Sequence, residues 1–229
     1  MKKDQFSSKR LSLFKNTVAL YILVFSNYFF SFITIPYQTR ILGPDYYGKI
    51  AFALAMMTYF SLIIDFGFLL SATEKVAKNR DDQGELNRIF TSVTIIKLIL
   101  TLLSFLVLLF IVLFIPRFSE DRTLYLLTFF SVVTTSFLPD YLYRGLEQMK
   151  VITVRTVMVR LFFTIMIFTL LNNKEDYYLV PLITLIGNLG ALVIVYTHSF
   201  KVLKVRLVMT DKKYIIDIFK SASVFFYSR

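Results

Sequence analysis

Ionisable and amide side chains inside apolar sequence are where this chain can do chemistry. Each is costly to hold in hydrocarbon and needs a partner or a ligand. Asn27, Asp65, Lys97, Arg155 and Arg160 are such residues, and Arg40 and Arg144 stand in polar turns beside apolar runs. The five cations Arg40, Lys97, Arg144, Arg155 and Arg160 are candidate substrate-binding groups for an anion. A guanidinium donates paired hydrogen bonds to a phosphate through its planar fork, and an ammonium supplies a point charge. Asp65 and Asn27 are the supporting polar groups: Asp65 can orient a base, and Asn27 can bond between helices. Plainer roles compete with these. Lys97 and Arg160 can snorkel to headgroups while Asp65 pairs with a neighbouring base. Asp140 and Arg144 have the four-residue spacing of a surface ion pair on one helix face, and Glu147 follows.

Other chemistry is missing. The chain has no cysteine, which excludes disulfides, thiol catalysis and thiolate metal sites. The single histidine, His198, cannot build a metal site alone and reads as an interfacial side chain. There is no Ser/His/Asp set, no glycine-rich phosphate loop and no metal-spaced cluster, and Asp81 with Asp82 reads as a solvated pair. Neither an enzyme nor a cofactor is expected.

The elements that must position the polar groups are six apolar stretches, Leu13–Ile35, Gly48–Leu70, Val93–Ile115, Leu124–Leu142, Val154–Leu171 and Tyr178–Phe200. Each runs about 18–23 residues, enough to cross the roughly 30 Å hydrocarbon core as a helix. A 229-residue chain that is 56% hydrophobic cannot bury that surface in one soluble core. The expected fold is all-α: one membrane domain over residues 1–229, a six-helix transmembrane bundle with a seventh helix beginning at Ser221. Pro139 should kink the inner end of the fourth span, and Gly187 with Ala191 marks close helix packing. Ser71–Ser92 reads as an inner connection holding a short surface helix.

The net charge of +11 has its own pattern. Basic residues crowd alternate segments: Lys2–Lys15, then Lys75, Lys78, Arg80 and Arg88, then Arg144, Lys150, Arg155 and Arg160, then Lys201–Lys220. The opposite side carries only Arg40, Lys49, Arg117, Arg122 and Lys174. By the positive-inside rule the N-terminus is cytoplasmic. The charge is thereby explained without a nucleic-acid partner. The basic start reads as a retained first span, because its apolar run is too long for a cleaved leader and no small-residue cleavage site follows.

Three segments carry a family resemblance. Ile35-Pro36-Tyr37-Gln38-Thr39-Arg40-Ile41-Leu42-Gly43-Pro44-Asp45-Tyr46-Tyr47-Gly48 resembles the first outer loop of the polysaccharide transporter family, the Wzx-type flippases of the MOP superfamily, related to MATE exporters. Asp65-Phe66-Gly67-Phe68-Leu69-Leu70-Ser71-Ala72-Thr73 and Tyr143-Arg144-Gly145-Leu146-Glu147-Gln148-Met149-Lys150 match as well. In the first segment Pro36 should end the span, Gly43-Pro44 should make a tight turn over an outer loop Pro36–Tyr47, and Gly48 should let the next helix start close by.

The resemblance implies a multi-pass protein of the bacterial plasma membrane. It would move undecaprenyl-diphosphate-linked oligosaccharide repeat units from the inner to the outer leaflet, by alternating access around a central cationic cavity. Its partners would be that lipid-linked oligosaccharide and the membrane lipids, with Arg40 at the outward mouth. Family members resemble longer chains with two such bundles. The chain is therefore expected to be an N-terminal lobe that needs its C-terminal half, another polypeptide or a second copy. Two alternatives stand beside this. A MATE-like exporter of small cations would want deep acidic groups, and Asp65 is the only one within a span. A non-transporting remnant or membrane-embedded partner of a polysaccharide assembly complex would fit a chain whose seventh helix stops at Arg229.

Overall fold

A computed structural model describes the backbone of residues 2–227 and the side chains of residues 16–226. The basic tail up to Lys15 and the terminal Arg229, both part of the sequence reading, lie outside the described side chains. Among the described residues the chain is mostly helical, without a strand, and its longest non-helical connection is residues 202–211.

The first element, α1 (Lys2–Asp65), is two arms folded at one residue. Gly43 has φ 70° and ψ 176°, which only glycine adopts without strain. Pro44 follows directly, and its fixed φ suits the first position of the second arm. The expected outer loop Pro36–Tyr47 is therefore helical except at Gly43, and Pro36 does not end the first arm. Proline removes one backbone bond, a loss that tertiary contacts offset in packed membrane helices. Here the Tyr37 hydroxyl donates to the Leu171 carbonyl at 3.0 Å and its ring meets Phe168 at 4.3 Å, while Gln38 and Leu42 are buried.

A second break ends α1. Phe66 (φ 35°) and Gly67 (φ 77°) turn the chain into α2 (Phe68–Lys78). The Phe66 ring is stacked between Phe219 and Phe226, each 4.6 Å away. The Asp82 side chain accepts from the Glu85 amide and caps α3 (Gln83–Phe114). α2 and the first turns of α3 take the place of the expected surface helix in Ser71–Ser92.

After the short α4 (Pro116–Ser119) comes α5 (Arg122–Ser136). The expected fourth span, Leu124–Leu142, is cut before Pro139 and resumes as α6 (Asp140–Gly145). α7 (Met149–Leu170), a 3₁₀ turn at Lys174–Tyr178 and α8 (Leu179–Lys201) complete the bundle. The last helix, α9 (Lys212–Tyr227), starts well before the expected Ser221, because its first turns bury Ile218 against the inner end of the bundle.

Four helical segments among the described residues are long and apolar enough to cross a bilayer: Asn16–Lys78, Gln83–Phe114, Met149–Leu170 and Lys174–Lys201. Gly43 doubles the first. α5, at 15 residues, is shorter than a full crossing. The molecule is an all-α membrane protein. With the Gly43 end labelled outer and the opposite end inner, the outer core gathers Leu42, Met57, Phe60, Leu108, Phe129, Ile167 and Ile183 from α1, α3, α5, α7 and α8. The inner core joins α2, α3, α6 and α9 through Phe68, Val76, Phe90, Leu142 and Ala222.

Two glycines fix that inner packing. A Cβ on Gly145 would lie 2.4 Å from Val76 Cγ1, and one on Gly67 would lie 2.7 Å from the Ala222 carbonyl. Only a residue without a side chain lets α6 close on α2, and α9 on the α1–α2 turn.

Candidate functional site

At the inner end, Lys97 of α3 meets Asp65 at the last turn of α1. The ammonium lies 2.8 Å from Asp65 Oδ1 and also donates to the Ser136 carbonyl freed by the break before Pro139. The Ser136 and Ser61 hydroxyls reach Asp65 Oδ2 at 3.4 and 3.5 Å. The Lys97 side chain is only 7% exposed. It neither snorkels nor faces open space; its charge is spent on three helices' worth of packing. A second ion pair holds the next helix turn. Arg155 of α7 grips Asp140 of α6 with both terminal nitrogens, at 2.5 and 3.1 Å.

That contact overturns the expected Asp140–Arg144 pair. Asp140 faces across to α7 because the break at Pro139 rotates α6, and Glu147 pairs with Arg80 at 3.2 Å instead. Arg144 is left half-buried, its Nε without a hydrogen-bond partner. Arg40 is exposed on the first arm, three residues before Gly43, and makes no hydrogen bond among the described residues. The five cations thus do not converge on one point.

Arg160 differs from the others. α7 begins at Met149, not at Val154, so Arg160 stands half-way along this 22-residue helix and not near its inner end. Its Nε donates to Asn27 Oδ1 at 3.2 Å, joining α7 to the first arm of α1. Among the described residues no carboxylate pairs with it, so the two terminal nitrogens are available to a ligand.

Two cavities meet at this side chain. One of about 280 Å³ lies toward the outer side, lined by Ser31, Thr34, Gln38, Thr128 and Ser131. The other, about 210 Å³, lies toward the inner side, lined by Thr135, Thr156 and Asn188. Arg160, Phe163 and Thr184 line both. Asn188 is held in place, its amide donating to Thr135 Oγ1 at 2.8 Å. The result is a seam of hydroxyls and amides through an apolar bundle with one unpaired guanidinium at its middle. Such a lining can exchange hydrogen bonds with sugar hydroxyls and donate a bidentate pair to a phosphate. Sequence reasoning found Asn27 and Arg160 but missed the seam. Its Ser and Thr residues are common in membrane helices, and only their shared face in α1, α5, α7 and α8 distinguishes them.

A third cluster, also unforeseen, ties the outer connections together. Lys49, in the first turns after Gly43, lies 2.8 Å from Asp121, which accepts from the Tyr177 hydroxyl at 2.7 Å. Tyr46 and Tyr178 pack on Tyr177. Burial penalises the Asp121 carboxylate, yet the hydrogen bonds from Lys49 and Tyr177 outweigh it and hold its pKa below the ordinary 3.8.

Fold and site together define a multi-pass, all-α membrane protein with a polar seam through its helical bundle. More narrowly, the chain belongs to the polysaccharide biosynthesis protein family, whose sequence model matches residues 13–229. Two relatives carry the description "Putative O-antigen transporter". The one from Escherichia coli (strain K12) is 29% identical over 185 residues, covering 81% of this chain and 45% of the relative. The one from Shigella dysenteriae is 28% identical over 162 residues, covering 71% and 40%. The chain thus spans about half the length of the curated relatives it matches. No solved structure matches it.

Proposed function

We propose that the chain is a lobe of a flippase that carries undecaprenyl-diphosphate-linked oligosaccharide repeat units across the bacterial plasma membrane. Family membership and the relatives' description as O-antigen transporters support a polysaccharide carrier. The observation that carries the reading is Arg160: a guanidinium without a carboxylate partner midway along a membrane helix, opening onto two cavities whose mainly apolar walls carry hydroxyls and amides. Holding such a charge in the membrane without an acidic partner costs several kcal/mol, which an anionic cargo would offset. Arg160 would engage a phosphate while the seam's hydroxyls meet the sugars. Lys97 acts by holding helices, and Arg155, paired with Asp140, holds α6 to α7 while lining the smaller cavity. The N-terminus faces the cytoplasm, and the lobe works with a second lobe. That lobe is a C-terminal continuation, another polypeptide or a second copy. The protein makes and breaks no covalent bond.

The ion pair at Asp65 disfavours a small-cation exporter. The acid such a protein would use is occupied by Lys97. The test is complementation of a strain lacking its own flippase, with surface polysaccharide as the readout. Arg160→Ala and Arg160→Glu should abolish export while the protein still reaches the membrane. Full export by both variants would remove Arg160 from the mechanism.

A further inference from the structure

A groove of about 700 Å³, larger than either cavity of the polar seam, lies on the outside of the α7–α8 pair. Its walls are Val154, Met158 and Phe162 from α7 and Ile186, Gly190 and Ile194 from α8. Most of these are exposed although apolar. From Ile186 to His198 the groove follows α8 for about 18 Å at 1.5 Å per residue. That is close to one leaflet of a roughly 30 Å hydrocarbon core.

Its polar groups all lie at one end, where Lys150, Arg155 and His198 are the only ionisable lining residues. No acid lines it, and none stands in the first turn of α7. Arg155 is committed to Asp140, but Lys150 is exposed and makes no ion pair among the described residues. The His198 ring is fixed by the Tyr143 hydroxyl, 3.0 Å from its Nδ1. Lys150 sits in the first turn of α7, where the helix dipole adds positive potential.

An apolar lane one leaflet long with a cationic mouth matches a lipid lying along the membrane normal, phosphate at the mouth. We infer that this groove seats the isoprenoid chain of a polyprenyl phosphate, with its phosphate between Lys150 and His198. The lane follows a single helix pair, which suits one chain rather than the two of a phospholipid. Gly190 opens a notch in it, since a Cβ there would meet nothing within 4 Å, and a methyl-branched chain can fill such a notch. Flexible Met158 adapts to the rest. The inference rests on the flippase reading for its choice of lipid. It adds a place beside the polar seam, sharing Arg155, Val159 and Ala191 with the smaller of its two cavities, where the carrier's tail stays in the inner leaflet.

The test uses the protein in phosphatidylcholine nanodiscs with a photoactivatable polyprenyl monophosphate, followed by mapping of labelled peptides. Labelling should concentrate on residues 150–162 and 186–198. Gly190→Phe places its ring in the notch, where a Cβ meets nothing within 4 Å, and should cut that labelling about tenfold with no change in melting temperature. Lys150→Glu should cut it about tenfold for the phosphate probe and leave an uncharged polyprenol probe unaffected. Equal labelling by a phosphatidylglycerol probe, or labelling indifferent to Gly190→Phe, would overturn the assignment. Export in cells separates the two levels. A labelled groove in a protein that never restores surface polysaccharide removes the flippase reading and leaves the groove. Restored export with no groove labelling removes the groove alone.

Discussion

Replacing Asp65 with asparagine would strand Lys97. Its side chain is 7% exposed, and after the substitution its ammonium keeps only neutral partners, the Ser136 carbonyl foremost. Removing one member of a buried ion pair costs about 3–5 kcal/mol. The lower end applies, because the Asp65 side chain is itself 33% exposed. About 3 kcal/mol corresponds to a fall of roughly 6–12 °C in Tm for a domain of this size. Lys97→Met should cost less, about 1–2 kcal/mol, since the remaining carboxylate is only part-buried and keeps the Ser61 and Ser136 hydroxyls. The double variant Asp65→Asn with Lys97→Met removes both charges and keeps the volume, so it should lie within about 1 kcal/mol of the parent. Thermal unfolding in nanodiscs at neutral pH measures all three. Strict additivity, with the double variant as unstable as the two losses combined, would refute the ion pair as the element that joins α1 to α3.

Other expectations use the same readout. Asp140→Asn should cost about 3 kcal/mol by freeing the buried Arg155, whereas Arg144→Met, which removes an unpartnered buried Nε, should cost under about 0.5 kcal/mol. Gly145→Ala should cost about 1–3 kcal/mol through its clash with Val76, partly relieved by Val76→Ala. Gly43→Ala forces a Cβ into a glycine-only conformation and should cost about 1–3 kcal/mol. Because the folded Asp121 pKa lies below 3.8, its contribution is complete above that value and lost as pH falls through the folded pKa. The outer cluster should therefore loosen only in acid below 3.8, read as proteolysis in the Arg117–Lys174 connections.

The membrane class and the all-α fold were legible in the sequence because apolar run length and charge placement are one-dimensional signals. Helix breaks were legible only in part. Pro139 cut its helix as expected, but Pro36 did not, since contacts from Tyr37 to Leu171 and Phe168 hold the following turn. The motif glycines Gly43, Gly67 and Gly145 could be seen, but not their use: one makes the outer fold, and two admit a neighbouring helix. For the site, the sequence marks Asp65 and Lys97 singly but leaves the base beside Asp65 unnamed and Lys97 free to snorkel, while spacing assigns Asp140 the wrong partner. Helix periodicity favours the residue four positions on, yet the real contact crosses from α6 to α7. The seam, the outer cluster and the α7–α8 groove depend on faces brought together by folding, which no spacing within one helix records.

The central claim is that an anionic, sugar-bearing lipid crosses the membrane with its headgroup at Arg160. The most direct measurement is the movement of a fluorescent undecaprenyl-diphosphate oligosaccharide between leaflets of vesicles containing the purified protein with its second lobe. The parent should move the lipid, and Arg160→Ala should slow it at least about tenfold at unchanged stability. No movement by the parent, or equal rates for the two proteins, would contradict the claim.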